Sequence, residues 1–138
     1  MNACHELVAL CEQIASETSQ PREFLLRLGS RAAGIRRGPV GFYDLSRGGS
    51  NLIPGGGVKR RYDDDTDGQI RHFAGMATAT VRVGPRLARS LSVTVLRDPP
   101  TSADGRLSDT AIEFARALLS GDLEVDAAPR WVSRRLCA

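Results

Sequence analysis

The stretch QIRHFAGMATATVRVGPRLARSLSVTVLRD, Gln69 to Asp98, decides the fold, because it reads in two ways. As a helix it places Ile70, Phe73, Ala74, Ala77 and Val81 at three- and four-residue spacing. As extended chain, Ala77–Val83 and Leu91–Val95 alternate small or β-branched residues with polar ones, and Gly84–Ser90 joins them in a β-hairpin at 77–97. Beyond Gly84–Pro85, Leu87, Ala88, Leu91 and Val95 return to helical spacing, and proline suits the first position of a helix. The stretch is therefore read as two helices, against the weak helix propensity of Thr and Val. The hairpin is the alternative.

The flanking sequence extends the helical reading. Cys4, Leu7, Val8, Cys11, Ile14 and Ala15 form one apolar stripe, with Glu6, Glu12 and Glu17 off it. A second helix opens at Pro21, carries Glu23 in its first turn, and turns Phe24, Leu25, Leu28, Ala32 and Ile35 inward. The pattern then collapses. Eight of the fourteen glycines lie between Gly34 and Gly57, so residues 36–61 read as a flexible Gly-rich loop. Gly41–Phe42–Tyr43 is expected to dock that loop on the core.

After Pro99–Pro100 a polar turn is expected to run to Gly105, followed by a helix capped by Ser108, with Asp109 in its first turn and Leu107 packed against Ile112. Its inward side is Ile112, Ala115, Leu118 and Leu119, and Gly121 ends it. Pro129 opens a last helix with Trp131, Val132 and Leu136 on one side, and Arg134 and Arg135 suit the negative end of its dipole. The fold class expected is all-α: five or six helices around one core, in a single domain spanning 1–138.

Composition narrows the functional classes. At 138 residues, with 41% hydrophobic and 25% charged residues, the chain is long enough to bury a core without staples. No run approaches the roughly 18 apolar residues of a membrane-spanning helix, and the first residues carry acids where a signal peptide carries bases. A cytoplasmic protein with no membrane partner is expected. Cys4 and Cys11 stand about 10 Å apart along a helix, and Cys137 makes the count odd. Three buried thiols acting as small hydrophobes are expected. The net charge of +3 comes from eighteen arginines against one lysine, Lys59, a skew that a GC-rich genome also produces. Arginine suits phosphate and carboxylate, but aromatic residues for stacking are few, so a protein is favoured as partner over nucleic acid.

Chemistry concentrates in YDDDTDGQIRHFAG, Tyr62 to Gly75. Asp63, Asp65, Asp67, Gly68 and Ile70 reproduce the first half of a calcium loop of the EF-hand kind, in which alternate carboxylates converge on a cation. The second half departs: Arg71 replaces a ligand and Ala74 replaces the bidentate glutamate. What remains open is a looser Ca²⁺ or Mg²⁺ site, or a solvated acidic loop at a helix start. His72 shares a helix face with Gln69 and Met76. Beside carboxylates it would serve as a general base, and the competing reading is a buried histidine bonded to a backbone carbonyl.

The pattern Gln69–x–Arg71–His72–Phe73–x–Gly75, preceded by acids, is similar to a motif in uncharacterised bacterial helical proteins, which also carry a later polar-capped helix resembling Ser108–Leu119. The resemblance implies a bacterial helical domain and attaches no activity to it. Walker, GxSxG and HExxH patterns are absent.

Two functional expectations follow. One is a non-enzymatic interaction or regulatory module. The other is a small metal-assisted hydrolase or toxin-like effector with His72 and Arg71 as catalytic residues and Asp63, Asp65 and Asp67 on a cation. The enzyme requires His72 and an aspartate in one cleft under the Gly-rich loop. The module requires a His72 that is buried or isolated, and an exposed apolar patch of several hundred Å².

Overall fold

Over residues 2–92 and 99–138, the computed structural model describes seven α-helices: α1 (Ala3–Glu17), α2 (Pro21–Ala33), α3 (Val40–Ser46), α4 (Gln69–Val83), α5 (Pro85–Ser90), α6 (Ala103–Ser120) and α7 (Ala128–Leu136). Single 3₁₀ turns occupy Arg60–Tyr62 and Val125–Ala127. The fold is all-α around a core, and no strand is present among the described residues. Residues 77–83 lie inside α4, so the hairpin does not form there, and its second half at 93–97 falls outside the described residues.

Helix α4 is central, which explains why its sequence reads ambiguously. Gln69, Ile70, Phe73, Ala74, Met76, Ala77, Thr78, Ala79 and Thr80 are all buried, so most of its circumference is covered and only a narrow half-buried strip, Arg71, Gly75 and Arg82, marks its period. Its small residues let neighbours approach closely. The Thr78 hydroxyl donates to the Leu25 carbonyl of α2 at 3.1 Å, and Thr80 returns its hydroxyl to Met76 O at 2.9 Å. These bonds satisfy the polar atoms that burial would otherwise penalise. On its other flank α4 packs along α6, where Phe114 gathers Phe73 at 5.4 Å, Phe24 at 6.3 Å and Trp131 at 4.9 Å between ring centroids. Helices α1 and α7 close the far side, and Arg135 of α7 makes a two-pronged ion pair with Glu113 of α6 at 2.6 and 2.9 Å.

Three local expectations are corrected. First, α6 starts five residues earlier than its expected cap: Ser102, not Ser108, caps it by accepting from Gly105 N at 3.0 Å. Gly105 sits in its first turn because a Cβ there would lie 2.9 Å from Pro100 Cα and collide with the Pro99 carbonyl. Second, the Gly-rich segment contains α3, and its aromatic pair faces outward: Phe42 is 49% and Tyr43 54% exposed, while Gly41 and Leu45 point inward. Third, Cys4 and Cys137 form a disulfide, leaving Cys11 as the free, buried thiol. No described helix is long and apolar enough to cross a membrane.

Candidate functional site

The N-terminal half of α4 lies against the first two turns of α6, and the contact between them is polar. Gln69 and His72, three residues apart, share one face of α4; Asp104 and Ser108, four apart, share one face of α6. The Gln69 side-chain amide donates to Asp104 Oδ1 at 3.0 Å and, at closer range, to the carbonyl of Tyr62. His72 Nε2 lies 2.7 Å from Ser108 Oγ and 3.1 Å from the Asp104 carbonyl. Ser108 Oγ continues to Ser92 Oγ at 2.7 Å, and both serines are buried. Two residues further along α6, the Thr110 hydroxyl donates to the phenol oxygen of buried Tyr62 at 3.0 Å.

His72 Nε2 faces the Asp104 carbonyl, which can only accept, and the Ser108 hydroxyl, which can donate or accept. Ser108 Oγ stands 2.7 Å from both His72 Nε2 and Ser92 Oγ and so joins the two side chains. The space beside His72 is small. Arg71, His72, Gly75 and Met76 of α4, with Leu45 and Leu91, line a cavity of about 10 Å³, the room of one water.

The acidic loop is bent on itself. Asp63 Oδ1 accepts the Asp65 amide at 2.9 Å, and Asp64 Oδ1 accepts both the amide and the hydroxyl of Thr66. These are side chain-to-backbone turns of the kind aspartate favours. Asp65 adopts a left-handed φ of 67° inside them. Asp67 is held by the Asn51 side chain at 3.1 Å. Asp64 sits below the ordinary carboxylate range: burial opposes this, and is outweighed by hydrogen bonds from the Thr66 hydroxyl and amide and by one shared with the Asp104 carboxyl. Asp63, Asp65 and Asp67 are exposed; the Asp63 carboxylate accepts from the Asp65 backbone, and Asp67 is bonded to Asn51. Among the described residues, no three His, Cys, Asp or Glu side chains gather as metal ligands.

Of the residues expected in a site, Arg71 and His72 line one cavity, and the three aspartates lie outside it. Asp64, Asp104, Ser92 and Ser108 complete the polar layer and were not foreseen. The available signal was a pair of polar residues one turn apart on each of two helices. Comparison with protein-family models, with curated proteins and with solved structures finds no match for this chain.

A second feature lies on the surface beyond Leu45. Phe42, Leu45, Val83, Leu87 and Leu91 line an open groove of about 340 Å³ between α3 and the α4–α5 corner. Leu87 is 62% exposed. Arg82 places its guanidinium 4.5 Å from the Phe42 ring and donates to the Gly38 carbonyl at 2.6 Å, which fixes one wall. Arg47 lies 5.6 Å from the Tyr43 ring, and Arg86 is exposed on α5. Asp44 of α3 is occupied by Arg36, which bonds it through Nε at 3.1 Å and Nη2 at 2.9 Å.

Proposed function

We propose that the chain is a non-enzymatic interaction module whose docking face is the groove between α3 and the α4–α5 corner. The observation that carries this reading is the open apolar groove itself, with Leu87 62% exposed at its rim. His72, packed between Ser108 and the Asp104 carbonyl, serves in this reading as a strut between α4 and α6. On the same reading the motif Gln69–Gly75 is the α4 half of that strut. Meanwhile large apolar side chains stand uncovered at Phe42 and Leu87, as docking faces do.

The occupant that fits is an amphipathic helix of a partner protein, with apolar anchors along one face and carboxylates beside them. Arg82 stands over the Phe42 ring at one wall, and Arg47 and Arg86 neighbour the lining residues Ser46 and Leu87 in the chain, whereas Asp44 is paired with Arg36. The test is fluorescence anisotropy with a labelled acidic, leucine-rich helical peptide and its basic counterpart. The acidic peptide is expected to bind wild type and to lose at least tenfold in affinity on Leu87→Glu. Equal binding of both peptides, or indifference to Leu87→Glu, overturns the reading.

A further inference from the structure

Residues Gly56–Lys59 run between the start of α1 and the chain leaving α7, and are bonded to both. On one side Cys4 N donates to Gly56 O at 3.2 Å, within a parallel bridge from Asn2 to Gly56. On the other, Lys59 N donates to Leu136 O at 2.7 Å, Ala138 N donates to Gly57 O at 2.8 Å, and Val58 bridges Cys137. Lys59 Nζ adds a bond to Arg134 O at 2.6 Å. Val58 is buried, and Gly57 lies so close to the Asn2 side chain that a Cβ would not fit. Every one of these partners is within three residues of Cys4 or Cys137, whose Cα atoms are 5.6 Å apart across the disulfide.

We infer that Cys4–Cys137 is a redox latch that keeps Gly56–Lys59 clasped between α1 and α7, and that the protein matures where thiols are oxidised. The clasp consists of a few hydrogen bonds and one valine, and the covalent bond fixes both of its jaws. A dithiol opens it. One thiolate of the reductant attacks a bridge sulfur to form a mixed disulfide, and its second thiolate displaces that sulfur. The products are Cys4 and Cys137 thiols and the oxidised reductant. The third cysteine does not interfere: Cys11 is buried two turns along α1, and burial, with the nearby Glu12 charge, pushes its thiol up to about 12. An odd cysteine count is thus compatible with one specific bridge. The bridge also argues against the cytosolic setting expected from the sequence, where the reducing pool keeps such thiols apart.

Lys59, Arg60 and Arg61 place three tryptic sites at the end of the clasped segment, and these supply the test. The chain is refolded in glutathione buffer, its thiols are counted in denaturant, and limited trypsin digestion follows with and without dithiothreitol. The Cys4→Ser/Cys137→Ser double variant is digested in parallel, and helix content is followed by far-UV circular dichroism. One free thiol is expected in the oxidised chain. Cleavage after residues 59–61 is expected to accelerate about tenfold or more on reduction and in the variant, with helix content retained, because cleavage follows the local opening equilibrium. Three free thiols after refolding overturn the inference. So does an unchanged rate at 59–61, and so does a general loss of helix on reduction, which would make the bond a staple for the whole fold.

Discussion

Gly29 of α2 faces Thr78 of α4 at a distance that leaves no room for a side chain. A Cβ built at Gly29 would lie 2.8 Å from Thr78 Cβ and closer still to Thr78 Oγ1. The same hydroxyl donates to Leu25 O, so it is not free to swing away. A glycine in mid-helix costs about 1 kcal/mol of helix propensity, and here that cost permits α2 to lie directly against Thr78 of α4. Gly29→Ala is expected to destabilise the protein by about 1–3 kcal/mol, as overpacking does, measured by urea unfolding. Thr78→Ala in the Gly29→Ala background should recover part of that loss, giving a non-additive double-mutant cycle. Strict additivity would mean that the two residues do not meet.

Ser108 links His72 to Ser92. Ser108→Ala leaves both with one partner fewer in a buried layer, and should cost about 1–3 kcal/mol. His72→Ala should cost a comparable amount, and the double variant less than the sum. If both single variants keep wild-type stability, the layer is not a strut, and a reactive role for His72 gains ground.

Asp44 offers a pH-dependent readout at the groove. The Arg36 guanidinium and backbone amide bond its carboxylate and lower its pKa to about 2. A depressed native pKa stabilises the fold above the ordinary aspartate value, and that contribution is lost as pH falls from about 4 towards 2. Carboxyl-carbon NMR titration should give a midpoint near 2 for Asp44 in wild type and a return toward about 4 in Arg36→Ala. An ordinary midpoint in wild type would show that the pair does not hold α3 in solution.

The acidic loop should be indifferent to divalent cations. The Asp63 and Asp64 carboxylates are already spent on the amides of Asp65 and Thr66, and Asp67 is bonded to Asn51. Millimolar Ca²⁺ or Mg²⁺ is expected to leave the melting temperature unchanged within about 1 °C. Binding to the folded state at a hundred times Kd would add about 2.7 kcal/mol and raise it by several degrees. A rise abolished by Asp65→Asn/Asp67→Asn would restore the cation site.

The sequence disclosed those elements whose burial is one-sided. Cys4, Leu7, Cys11 and Ile14 in α1, and Phe24, Leu25, Leu28 and Ala32 in α2, are buried along one stripe and therefore periodic. Helix α4 lacked that contrast, since Thr78 and Thr80 are as buried as Phe73. Ser102 and Ser108 are equally good caps by composition; only the close packing of Gly105 on Pro99–Pro100 selects Ser102. The segment around His72 was legible as unusual, but its partners Asp104 and Ser108 come from 32 and 36 residues away. The Cys4–Cys137 bond spans 133 residues, and pairing at that range leaves no local trace.

That bond also sets how the molecule would bear load. With Cys4 and Cys137 joined, the shortest covalent path between the two sides of the chain runs through a single sulfur–sulfur bond and bypasses α2 to α7 and all but the first turn of α1. Tension applied on either side would pass through that bond and leave the Phe114 cluster and the α4–α6 polar layer unstretched. The oxidised protein would thus transmit a pull without extending, while the reduced protein would unravel from its ends inward.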